Sequence, residues 1–141
     1  MPLTNRNRWM ILGVALGMTS SVAVADVVVV VSAKSPIGAL SKAEVEDIFL
    51  GRTIRFPDGA LTVVIDQAEG SAVRDEFYDK VFGKSAAQIK AYWSKIIFTG
   101  RGQPPFSVSS TIEMMKRISA DPAAIGYIDR GMLNDSVREV Y

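Results

Sequence analysis

The chain is 141 residues long, with 16 Lys+Arg against 15 Asp+Glu, no His, no Cys and 48% hydrophobic residues. That is one domain's length and a globular composition. The missing residue types exclude a thiolate nucleophile, a Ser-His-Asp triad, a disulfide framework and the usual Cys/His zinc site, and the near-neutral charge lacks the basic face that nucleic acid needs.

Residues 1–25 read as a secretory signal peptide. Arg6 and Arg8 form a positive n-region, residues 9–18 (WMILGVALGM) an apolar h-region, and Ala23-Val24-Ala25 an A-x-A site, so cleavage after Ala25 is expected. An uncleaved anchor is the alternative. A ten-residue apolar stretch spans about 15 Å as helix, about half a bilayer core, so no stable membrane anchor is expected. No Cys follows to carry a lipid, and a secreted chain without Cys suits a bacterial periplasm. Removing Arg6 and Arg8 leaves 14 basic against 15 acidic residues in 26–141, so the working chain is slightly acidic.

Residues 27–31 are five consecutive valines, the pattern of a strand buried on both faces. Ser41 and Glu44 form a capping box for a helix that buries Val45, Ile48 and Phe49 and ends at Gly51. Phe56-Pro57-Asp58-Gly59 is a turn, and residues 61–65 (LTVVI) are a second strand. A loop over 67–70 leads to Ser71, which caps a helix to about Phe82, ended by Gly83, with Val73, Phe77, Tyr78, Val81 and Phe82 on its apolar face. Ser85 and Gln88 open a helix with Ile89, Tyr92, Trp93, Ile96 and Ile97 on one side. Residues 100–105 (GRGQPP) are an exposed loop. Ser110 and Glu113 make a third box, opening a helix that points Ile112, Met115 and Ile118 inward. After Asp121-Pro122, residues 124–128 (AIGYI) are a third strand, and 137–141 are a fourth strand or a frayed tail. Strands alternating with helices give an α/β fold, a small mixed sheet of three to four strands flanked by helices.

The residues of most chemical interest are Asp66 to Arg74 (DQAEGSAVR), where a strand ends, a Gly-containing loop follows and a Ser-capped helix begins. A helix start presents unpaired N–H groups and partial positive charge, and ligands of open α/β sheets sit at the carboxyl ends of strands. The Ser71 hydroxyl and the N–H groups of Ala72 and Val73 are candidate anion donors, with Arg74 as a charge if it points forward. Plain capping with Arg74 on the solvated face is the alternative. Gly100-Arg101-Gly102 with Lys95 and Lys116 reads as a second anion contact or as a solvated turn. Tyr92, Trp93, Met114 and Met115 read as core. Asp66 and Glu69 are paired carboxylates near a cleft, but without a His partner they do not read as acid and base, so catalysis is not expected.

Four segments in order resemble the phosphate ABC transporter substrate-binding proteins: Ile48-Phe49-Leu50-Gly51-Arg52, the loop Gln67 to Arg74, Trp93, and Ala124-Ile125-Gly126-Tyr127-Ile128. The resemblance runs from about Val27 to Asp129. It implies a periplasmic-binding-protein-like (PBP-like) domain over 26–141 and a non-catalytic role in ABC import with no cofactor, working beside a permease. In such proteins two α/β lobes close on phosphate, and the resemblance implies that this chain supplies one. Carried onto this sequence, Gly70 and Ser71 match the phosphate loop, Ala72 and Val73 stand where Gly and Thr are usual, Gln67 stands where the gripping Arg is usual, and Arg74 lies one position past the loop. A neutral Gln in place of a bidentate Arg and an open half-cleft both imply weak binding. A competing expectation is an interaction module, either a homodimer that rebuilds the cleft or a partner of an envelope complex.

Overall fold

The computed structural model describes residues 26–141, so the expected signal peptide and cleavage site lie outside the described residues. The elements are β1 (Val27–Ser32), α1 (Lys42–Phe49), β2 (Val63–Gln67), α2 (Ala72–Phe77), α3 (Ala86–Phe98), β3 (Phe106–Val108), α4 (Thr111–Ala120), β4 (Ala124–Asp129) and β5 (Val137–Glu139). They form one mixed sheet in the order β3-β2-β4-β1-β5. β2 runs parallel to both β3 and β4, while β1 is antiparallel to β4 and β5.

The valine run behaves as its composition dictates. Val29 and Val31 point into one core with α1, α2 and α3, while Val28 and Val30 point into a second core with Met114, Met115 and Ile118 of α4. A strand that buries both faces leaves no polar alternation to see. The sheet is thus sandwiched, three helices on one side and α4 on the other. Gly126 of β4 makes the α4 contact close: a Cβ there would lie 2.4 Å from Met114 Sδ and 2.7 Å from Ile118 Cδ1.

Two capping boxes form as expected at Ser41 and Ser85. The third does not close. Ser110 Oγ accepts from Glu113 N, but the Glu113 carboxylate takes the N–H and hydroxyl of Ser109 instead. Ser110 has φ −152°, against −75° at Ser41 and Ser85, which turns its own N–H away from the helix.

Other expectations are corrected. The sheet has five strands, not three to four. The addition is β3, a three-residue edge strand behind Pro104-Pro105 whose short length gives little periodic signal. β2 starts and ends two residues later than the apolar run, because Asp66 and Gln67 pair with Ser107 and Val108 of β3. Residues 137–141 begin with β5 rather than a frayed tail. The helix capped by Ser71 is regular only to Phe77; Tyr78–Phe82 continue it as a π-helical turn, ended by Gly83 at φ +60°. Ile112 is 71% exposed because it lies in the first turn of α4, and Met114 takes the inward position; Ile97 is 47% exposed near the end of α3.

Candidate functional site

The carboxyl ends of β2 and β3 each lead into a helix start, α2 through the loop 68–70 and α4 through Ser109-Ser110. Gly70 sits at φ +88°, a conformation that favours glycine and lets the loop turn directly onto Ser71. The Ser71 hydroxyl oxygen accepts from Arg74 N at 3.3 Å and the hydroxyl donates to Gln67 Oε1 at 2.7 Å. The Gln67 amide donates to Thr111 Oγ1 at 3.3 Å and to the Tyr127 carbonyl at 3.5 Å. One buried side chain therefore ties the starts of α2 and α4 together.

Beneath this edge lies a buried polar knot. Asp66 accepts from its neighbour Gln67 N at 2.8 Å, from the Tyr78 hydroxyl at 2.7 Å, from the Tyr127 hydroxyl and from Arg74 Nε at 3.5 Å. The Arg74 guanidinium carbon sits 5.1 Å from the centre of the Tyr78 ring. The rings are fixed from behind: Phe77 stacks on Tyr127 with centroids 4.0 Å apart, and Phe49 meets Phe77 edge-on at 4.9 Å. Burial, and after it the Asp66 charge, pushes both tyrosine hydroxyls well above the ordinary phenol range. Burial works against the Arg74 charge, but Asp66 and the two phenol oxygens outweigh it and its pKa is raised.

Among the expected site residues, Gly70 and Ala72 are exposed, Ser71 and Val73 half-buried, and Gln67 and Arg74 buried. The loop residues Gly70, Ser71, Ala72 and Val73 come together at the helix start. Gln67 and Arg74 are turned into the fold. Gln67, expected as a neutral contact to the anion, spends its carbonyl and amide on the two helix starts. Arg74 neither points forward over the loop nor lies on the solvated face; it is drawn in by Asp66 and Tyr78. Asp66 and Glu69 do not act as a pair either, since Glu69 is exposed and bridges to Lys90 at 3.6 Å. Lys95 and Lys116 lie on α3 and α4, helices that cover opposite faces of the sheet.

Sequence reasoning missed Tyr78, Tyr127, Thr111 and Ser107 as site residues. A signal existed for the tyrosines, because a phenol in a fully buried strand or helix needs a hydrogen-bond partner. None existed for Ser107 and Thr111, whose roles follow from an unanticipated strand. Beside the knot, between α3 and the ends of β2 and β3, opens a cleft of about 240 Å³ lined among others by Asp66, Arg74, Trp93 and Ser107. Among the described residues, no group of three or more acidic side chains is placed to hold a metal ion, and no helix is long and apolar enough to cross a membrane.

No family model matches the chain, and no curated protein matches it. Solved structures do. A protein of Clostridium perfringens described as a phosphate ABC transporter substrate-binding protein, with bound phosphate, superposes with a TM-score of 0.66 at 21% identity, over 83% of this chain and 45% of that one. An ABC-type phosphate transport receptor of Vibrio cholerae gives 0.65 at 17% identity, over 83% and 46%. PstS of Borrelia burgdorferi gives 0.56 at 19% identity, over 76% and 41%. At such identities what is shared is the fold, and the chain spans less than half the length of the structures it matches.

Proposed function

We propose that this chain is a periplasmic, non-catalytic oxyanion-binding domain with phosphate as its ligand, acting beside an ABC permease as a substrate-binding component. The observation that carries the reading is the convergence of two helix starts, α2 and α4, on the carboxyl edge of adjacent parallel strands, locked together through Gln67. Each start brings free N–H groups and partial positive charge to the same edge. The fold likeness to phosphate receptors supports the same ligand. In this reading the N–H groups of Ala72 and Val73 and the backbone of Gly70 hold the anion. Ser71 shapes the loop through its two hydrogen bonds, Gln67 positions it, and Arg74 contributes long-range charge from below. Binding is weak, because no arginine grips the ligand and the cleft is one-sided.

Calorimetric titration of phosphate into the protein, with sulfate as control, tests it. Saturable, phosphate-selective heat that Ser71→Asp abolishes is the expected result; heat that is absent, or unchanged in that variant, overturns the reading.

A second reading, an interaction module that pairs with a second copy or with an envelope protein, is favoured by one observation. Phe98 is 94% exposed at the end of α3. Sedimentation with and without phosphate separates the two: a dimer indifferent to phosphate and dispersed by Phe98→Ser supports the module.

A further inference from the structure

We infer that the cleft between α3 and the ends of β2 and β3 is a binding site for a small monocarboxylate with an apolar body, distinct from the phosphate loop. The inference does not depend on the phosphate reading. It starts from an imbalance in the buried ion pair. Asp66 is fully supplied, with four donors on its two oxygens. Arg74, only 6% exposed, is undersupplied: Nε reaches Asp66 at the long distance of 3.5 Å, and among the described residues its two terminal nitrogens have no hydrogen-bond partner. Those two nitrogens keep contact with solvent at the cleft, where an acceptor can complete the fork.

Trp93 lines the same cleft, with its indole N–H sealed from solvent behind that lining. Trp93 is 7% exposed, and its indole N–H is the one buried side-chain polar group without a partner among the described residues. The two unpaired guanidinium nitrogens at the cleft are complemented by an acceptor-only group. The flat guanidinium fork suits two coplanar oxygens, as a carboxylate presents.

Charge and wall chemistry narrow the class. The cleft holds Arg74 and Lys90 against Asp66 and Glu69, two charges of each sign, with Lys90 and Glu69 already bridged at 3.6 Å. A balanced site tolerates one added negative charge at the unpaired fork better than two, which disfavours a phosphate dianion. Ile97, Pro104 and Pro105 offer the ligand's remainder an apolar surface. At about 240 Å³ the cleft holds a molecule of amino-acid size, on the scale of about 30 Å³ per water.

The test is a ¹H–¹⁵N titration of the full chain carrying Trp9→Phe, which leaves the Trp93 indole as its single indole signal, since the sequence has two tryptophans. Hexanoate should move that signal saturably; acetate should need at least about tenfold more for the same shift, because it lacks the methylenes that bury against the wall. Hexanol and inorganic phosphate should leave it in place. Arg74→Lys keeps the charge and loses the fork, and should weaken hexanoate by about tenfold or more. Where that variant fails to fold, Ile97→Asp on the exposed rim decides: it should weaken hexanoate and leave any phosphate-induced shifts of the Gly70 and Ala72 amides unchanged. No indole shift up to roughly 20 mM hexanoate, a weakness of about 2.3 kcal/mol of binding, overturns the inference, as does equal response to acetate and hexanoate. Silent Gly70 and Ala72 amides under phosphate would overturn the phosphate reading and leave this one standing.

Discussion

The two faces of the sheet solve burial in opposite ways. The α4 face is closed by shape alone: Met114, Met115 and Ile118 sit on Val28, Val30 and Ile128, and the helix comes so close that β4 carries a glycine beneath it. The opposite face has a larger, aromatic core with a carboxylate, a guanidinium and two phenols set into it beside the cleft. An apolar face needs nothing from its ligand side and can be fully satisfied by its own residues. A face with a buried ion pair is satisfied only as far as its geometry allows, and here the carboxylate is complete while the guanidinium is not. Burying such groups is seldom the most stable choice.

That contrast can be broken from either side. The largest effect should come from Asp66→Ala, which leaves Arg74 buried without its counter-charge and two phenols without an acceptor. A loss of about 3–5 kcal/mol in urea unfolding is expected, and a loss below about 1 kcal/mol would show the knot to be solvated. On the other face, Gly126→Ala forces a methyl into Met114 and Ile118 and should cost about 1–3 kcal/mol, with Met114→Ala recovering part of it. A result within error of wild type would mean that α4 rides loosely.

Alkali should attack only the polar face. Tyr78 and Tyr127 keep their protons in the fold at a pH where an unfolded chain, titrating near the ordinary value of 10.0, has released them. Unfolding therefore releases protons, so their contribution is whole below about pH 10 and falls as pH rises above it. Unfolding followed from pH 8 to 11 should show this decline, and Tyr127→Phe should flatten it. The smallest effect belongs to the α4 side. Hydrogen bonds from the Ser109 backbone, then its hydroxyl, hold the Glu113 carboxyl below its ordinary value of 4.5. Its contribution is present above that value and is lost as pH falls through the lowered one, a slight acid sensitivity that Ser109→Pro should remove from the acid limb of the unfolding curve.

The apolar face was largely legible in the sequence and the polar face was not. Five valines announce a strand buried on both sides whatever it pairs with, and Ser41 and Ser85 mark helix starts through contacts three residues away. Position 66 is different. Asp66 follows an apolar run and reads as the beginning of a loop, yet β3 extends the ladder past it and carries it inside. Its partners stand at 74, 78 and 127, and only the strand order brings the last of these near. The turn at Gly70 and the Ser71 helix cap were visible because their signal is local. The inward turn of Arg74 was not, since it depends on an acceptor that the fold supplies. Ile112 shows the same limit in reverse: its spacing suits the α4 stripe, but in the first turn of the helix it stays exposed.

The outer strands have a consequence for self-association. Both edges of the sheet are three residues long, one approached through Pro104-Pro105 and the other carrying Arg138 and Glu139. Short, proline-flanked or charged borders are poor templates for a foreign strand. The molecule is thereby guarded against growing by edge-to-edge addition into fibrils, and any specific pairing of two copies has to be made through helices and loops.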